Sequence, residues 1–141
     1  MNKKFEFLEH TADTKIKAYG KSLEEAFVSV VIATTQVMTD VNKVYCIKSK
    51  SINVKSKTEK SLLYDFLDEI LFLFDTEGFL VASVDDLVIE KNDNYELSCT
   101  LKGDFVHEGY EVHTAIKAIT YSEMEITKND DGVIIQIVHD L

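Results

Sequence analysis

Acidic groups stand near both ends of this 141-residue chain. The motif "EHTAD" runs from Glu9 to Asp13, and His139-Asp140-Leu141 closes the chain directly after the strand-like run Val133 to Val138. A terminal strand normally frays. Here the run reaches to within a residue of Asp140, which predicts that this Asp and the Leu141 carboxylate are held in place. Two anionic groups so held make half of a site for a hard cation, which takes several oxygen ligands. Asp13 adds a third if the first strands lie beside the last. Oxygen donors select Ca²⁺, Mg²⁺ or Mn²⁺ over zinc. The competing reading is that Asp13 caps its own turn, as Asp commonly does, and that Asp140 is merely solvated.

Other groups are weaker candidates. The four histidines, His10, His107, His113 and His139, have no HxxxH or HExxH arrangement. His10 and His139 flank the acids from the two chain ends and are candidate neighbours of the site. Lys117 lies in "IKAITY", between Ile116 and Ile119. It either pairs with a terminal carboxylate, presents its ammonium to a partner, or snorkels to solvent. "EGYEVHT", Glu108 to Thr114, reads as a solvated loop.

These groups need elements to position them. Phe5 and Phe7, then Ile16 and Ala18, alternate with charged residues, giving two short strands around "EHTAD". Ser22 and Glu25 have capping-box spacing, and the apolar residues behind them predict a helix over Leu23 to Met38. Ile52 and Val54 mark a half-buried strand. Thr58 or Ser61 caps a second helix, whose wide apolar face runs from Leu62 to Phe74 with Asp65, Asp68 and Glu69 on the wet side, and Gly78 ends it. Period-two segments follow. Asp86 to Lys91 and Tyr95 to Lys102 form a hairpin around "NDN", and Lys117 to Thr127 and Val133 to His139 pair across "KNDDG". The last strand, apolar on both faces, suits a central position. The pattern predicts one α+β domain over 1–141, a mostly antiparallel mixed sheet with two amphipathic helices on one face.

Composition excludes whole classes of function. The formal net charge is −10, and all 15 basic residues are Lys. An acidic surface without arginine disfavours direct nucleic-acid binding. Cys46 and Cys99 fit no zinc set and read as reduced, partly buried thiols. No apolar run suits a signal peptide or a membrane span, which predicts a cytoplasmic protein. With no GxSxG, GxGxxG or GxxxxGK motif and only 5 glycines, an independent enzyme is not expected.

Several segments together resemble the archease family. They are "FLEHTADTKIKAYGKSLEEAF" (7–27), "MTD" (38–40), "SLLYDFLDEILFLFDTEGF" (61–79), "IKAITY" (116–121) and the closing "VHDL". The resemblance implies an accessory protein of tRNA processing. Such proteins activate an RtcB-type tRNA-splicing RNA ligase, which uses GTP and Mn²⁺, by promoting its guanylylation and multiple turnover. A chaperone-like role toward a tRNA methyltransferase is the alternative the family offers, and the terminal acids themselves leave a small metal-dependent hydrolase as a more distant reading. The resemblance places a divalent-metal site on Asp13, Asp140 and Leu141, the last through a main-chain oxygen. Ca²⁺ is the ion expected in a structure, with Mn²⁺ or Mg²⁺ as the others. It also matches Lys117 to a functional lysine. Two positions depart from the family pattern. Ala115 stands where many members carry an acid, so a charged contact is either missing or supplied by Glu111 or His113, and Ser122 stands where many carry His.

Overall fold

The computed structural model describes residues 4–8 and 13–141. Within them eight strands and two long helices form an α+β fold. Helix α1 covers Leu23–Met38, as its periodicity predicts. The Ser22 hydroxyl accepts from the Glu25 amide at 3.1 Å. Helix α2 covers Glu59–Glu77 and is capped by Thr58, whose side chain accepts from the Ser61 amide while the Ser61 hydroxyl accepts from the Thr58 amide. That reciprocal pair satisfies two amides that a helix start otherwise leaves open. At the other end Gly78 adopts a left-handed φ of 72°. A Cβ there would also run into Val106 Cγ1.

The strands divide into two sheets rather than the single sheet the pattern predicts. In the first, β1 (Phe5–Leu8), β2 (Asp13–Gly20), β8 (Gly132–Asp140) and β6 (Ala118–Ile119) lie in that order, and β7 (Glu125–Asn129) also pairs with β8. The second runs β3 (Lys48–Ser56), β5 (Tyr95–Phe105), β4 (Phe79–Lys91). All pairings are antiparallel. Two departures from the sequence pattern have local causes. The β4–β5 hairpin extends back to Phe79 because β4 accommodates two register shifts, one beside Asp86 at φ 54°. The segment before "KNDDG" is broken into β6 and β7, parted by a turn at Glu123 with φ 56°.

Each helix touches strands of both sheets. The helices meet where the rings of Phe27 and Phe66 stack at 6.3 Å. Ile16, Ala18, Ile135, Ile137 and Leu63 are all fully buried in one continuous core with them. Burying a side chain of this size contributes about 2 kcal/mol, so the core holds β8 without help from its exposed residues. β8 is central, flanked by β2 on one side and by β6 and β7 on the other. Its position is what makes the chain's last residues a well-placed platform. The thiols split: Cys99 is buried, and burial raises its pKa to about 11, whereas Cys46 is exposed rather than partly buried.

Candidate metal site at the end of the last strand

The pairing of β2 with β8 sets the site. Its register puts Asp13 opposite Asp140, then Thr14 opposite His139, then Lys15 opposite Val138. Directly opposed residues on antiparallel strands project from the same face with Cβ atoms about 5 Å apart. Asp13 and Asp140 are therefore neighbours on one side of the sheet. His139, one residue earlier, projects from the other side.

Asp140 is exposed and Asp13 half-buried, with Asp13 Oδ1 shut off from solvent. The main-chain oxygen of Asp140 accepts from the Lys117 amide at 2.8 Å, and β6 continues that pairing through Ala118. Leu141 packs partly against the core. It shares with Asp13 an open cleft of about 400 Å³ whose other walls include Phe7, Gln36, Val37 and Thr114. The cleft thus joins the start of β2, the end of β8, the last turns of α1 and the segment leading to Lys117. Sequence patterning carries no signal for Gln36, Val37 and Thr114, because their role is only to form the walls.

The donor set can be matched to a cation. Among the described residues no three His, Cys, Asp or Glu gather as a metal-binding group. The strand register sets Asp13 opposite Asp140, and the cleft is lined by Asp13 and Leu141. The donors these residues could offer are oxygens, the kind a hard divalent ion takes. Among the described residues neither a thiol nor an imidazole lines this cleft for a softer ion.

His139 is not among those ligands. It is fully buried, and its Nε2 lies 2.9 Å from Thr34 Oγ1. The Thr34 hydroxyl already donates to the Val30 carbonyl at 2.8 Å, so it accepts from His139. Nε2 then carries the proton, and the ring is neutral. Burial lowers its pKa to about 4. The sequence offers His139 as a neighbour of the acids, open to the site or a partner; its burial on the core side of the sheet removes both roles. The other flanking histidine, His10, lies outside the described residues.

Lys117 is exposed, just before β6, and makes no ion pair among the described residues. Its side chain is free to reach a partner, whereas its amide anchors the end of β8. Glu111 and His113 stand 3.9 Å apart at the C-terminal end of α1, where the His113 amide donates to the Met38 carbonyl at 2.7 Å. They line a second cleft rather than the one at Asp13. Ala115 is exposed, and Ser122 donates its amide to Thr120 Oγ1 in the turn before β7.

Comparison with known proteins decides the family. The family model described as the Archease protein family (MTH1598/TM1083) matches residues 5–141. The chain belongs to the archease family. It is 38% identical to the protein archease of Methanothermobacter thermautotrophicus, over 99% of each chain. To that of Pyrococcus abyssi it is 39% identical over 92% of each. The fold agrees. The solution structure of Methanobacterium thermoautotrophicum protein 1598 superposes with a TM-score of 0.84 at 36% identity, covering 98% of this chain and 99% of the other. A 2.0 Å crystal structure of a Thermotoga maritima archease, termed a possible chaperone, gives 0.60 at 19% identity, covering 95% and 94%. No helix among the described residues is long and apolar enough to cross a membrane.

Proposed function

We propose that this archease is a non-catalytic activator of an RtcB-type tRNA-splicing RNA ligase, and that it works through a divalent cation held by Asp13, Asp140 and the main-chain oxygen of Leu141. The observation that carries the reading is the register that sets Asp13 opposite Asp140 at the rim of a cleft shared with Leu141. A cation bound there would supply positive charge and open coordination positions for a partner's oxygen or phosphate groups. The chain's own residues do the rest. The two aspartates orient the ion, the Lys117 amide holds the strand end, and the Lys117 ammonium adds a second positive group beside it. Seated against the ligase, such a surface would favour the guanylylated state without itself making or breaking a bond.

Two features support an accessory role over independent catalysis. His139, one of the two histidines that flank the acids in sequence, is turned into the core. The net charge of −10 suits docking to an RNA-binding enzyme, whose surface must be basic, better than contact with RNA itself. The second reading, a chaperone-like modulator of a tRNA methyltransferase, draws on the description of the Thermotoga relative as a possible chaperone.

The deciding experiment measures ligation by the RtcB-type ligase of the same cell under multiple-turnover conditions, with and without this protein. Activation by the unaltered protein that is lost in Asp13→Ala supports the metal-dependent activator. Unchanged ligation in both, with suppressed aggregation of the methyltransferase, supports the chaperone.

A further inference from the structure

At the C-terminal end of α1 lies a second cleft, of about 500 Å³, beside the one at Asp13. One part of its wall is apolar where solvent would normally demand polarity. Tyr45 and Ile47 are 68% and 64% exposed, the two most exposed large hydrophobic side chains among the described residues. They rise from the segment between the 3-10 turn Val41–Lys43 and β3, facing the residues around Gly109 to Glu111. Adjacent exposed side chains of this kind are a mark of a contact surface rather than of an ordinary loop.

The charges of the cleft are almost all of one sign. Asp40, Glu108 and Glu111 line it against a single lysine, Lys43. Among the described residues Glu108 and Glu111 have only the exposed imidazoles of His107 and His113 within ion-pair distance, and no lysine. Below them Asp104 is 3% exposed. Its Oδ2 accepts from the Tyr110 hydroxyl at 2.8 Å and its Oδ1 from the Phe105 amide at 2.9 Å. Both donors are neutral, and no cation lies within ion-pair distance of it among the described residues. A buried carboxylate without a counter-ion gains from a positive charge brought to the mouth of its cleft. The carboxyl end of α1, with no basic residue in its last turn, adds partial negative charge from its carbonyls.

The two clefts are contiguous. His113 lines one and the next residue, Thr114, the other; Thr39, which caps α1, lines the first and Val37, two residues earlier, the second. Thr39 Oγ1 donates to the Glu111 carbonyl at 2.6 Å and the His113 amide donates to Met38, so helix end and loop form one dividing ridge.

We infer that this cleft is the docking surface for a basic segment of the partner ligase, receiving a Lys or Arg between Asp40, Glu108 and Glu111 while apolar side chains flanking it cover Tyr45 and Ile47. The inference rests on the activator reading and adds to it the face that docks. A partner seated here has the Asp13–Leu141 cleft immediately beside its contact, so docking and metal placement use one continuous surface. A cationic side chain is the fitting occupant because an enzyme that holds a polyanion carries such segments on its surface.

Binding of the cognate ligase is measured by interferometry or calorimetry at low and moderate salt, using the full chain. Glu108→Lys/Glu111→Lys and Tyr45→Ser/Ile47→Ser should each weaken binding about tenfold or more, and the charge reversal should remove most of the salt dependence. All four positions are exposed, and unchanged circular dichroism and melting will confirm that the variants fold. Glu69→Lys/Glu90→Lys, at exposed positions on α2 and β4, makes the same change in net charge away from the cleft and should bind as the unaltered protein does. Asp13→Ala should still bind, though it fails to activate. If the unaltered protein binds and activates but the cleft variants bind equally well, the docking surface is wrong while the activator reading stands. If the unaltered protein does not bind the ligase at all, both fall.

Discussion

The imidazole of His139 donates through Nε2 to Thr34 Oγ1 across 2.9 Å, a buried bond that ties the end of β8 to the middle of α1. Both groups are within 2% of complete burial. The bond uses the neutral ring, and the pKa of about 4 means that the folded protein stays unprotonated where an unfolded chain takes up a proton near 6.5.

Stability should therefore fall as pH drops from about 6.5 toward 4, because across that window the unfolded state binds the proton and the folded state does not. The full loss would be on the order of 3 kcal/mol. Urea midpoints between pH 7.5 and 5, above the range in which most carboxylates titrate, should show the decline begin. His139→Gln, which keeps a donor toward Thr34, should be less stable at pH 7.5 and nearly flat over the same interval. An equally steep decline in the variant would assign the effect to other groups.

Divalent cation should raise the melting temperature of the unaltered protein. Ligand at a hundredfold excess over its dissociation constant adds about 2.7 kcal/mol, equivalent to roughly 9 °C for a chain of this size. Asp13→Asn and Asp140→Asn should each abolish most of that rise for Ca²⁺ and Mn²⁺. Without metal they should melt within about 0.5 kcal/mol of the unaltered protein, since neither acid contributes to the core. A full cation-induced rise in either variant would show that its carboxylate is not a ligand.

Lys117→Ala should lower ligase turnover with little effect on melting, because the side chain is exposed while its amide, retained in the variant, makes the bond to Asp140. Lys117→Arg should restore only part of the turnover, as a planar guanidinium does not occupy the place of a compact ammonium. Full activation by Lys117→Ala would reduce this residue to an ordinary solvated lysine.

Gly103→Ala should be destabilising by about 2 kcal/mol or more. A Cβ at this position would stand 1.8 Å from the Leu80 carbonyl oxygen across the β4–β5 pair. The backbone must move to admit it, at the point beside Asp104 where β5 enters the second cleft. Chemical denaturation compares the two proteins directly. A variant of unchanged stability would mean that β4 yields freely at its register shift.

The two helices were legible in the sequence to the residue at α1 because capping and apolar period are local: Ser22, Thr58 and Gly78 mark their ends, and the period of 3.6 marks their buried faces. The central place of β8 was legible as well, since a strand apolar on both sides cannot sit at an edge. Near the chain ends, the acids Asp13 and Asp140 identified themselves by type, but only the antiparallel register decides that they lie opposite each other, because a slip of one residue would send one of them to the other face. The division into two sheets, the burial of His139 and the exposure of Lys117 were also decided by tertiary structure. Each depends on which distant segment packs alongside, a matter of long-range pairing that composition and period do not encode. The cleft at Tyr45, Asp104 and Glu111 is the clearest case. Its walls come from three separated stretches, and the loop from Glu108 to Thr114 looked like solvated chain until the end of α1 was placed beneath it.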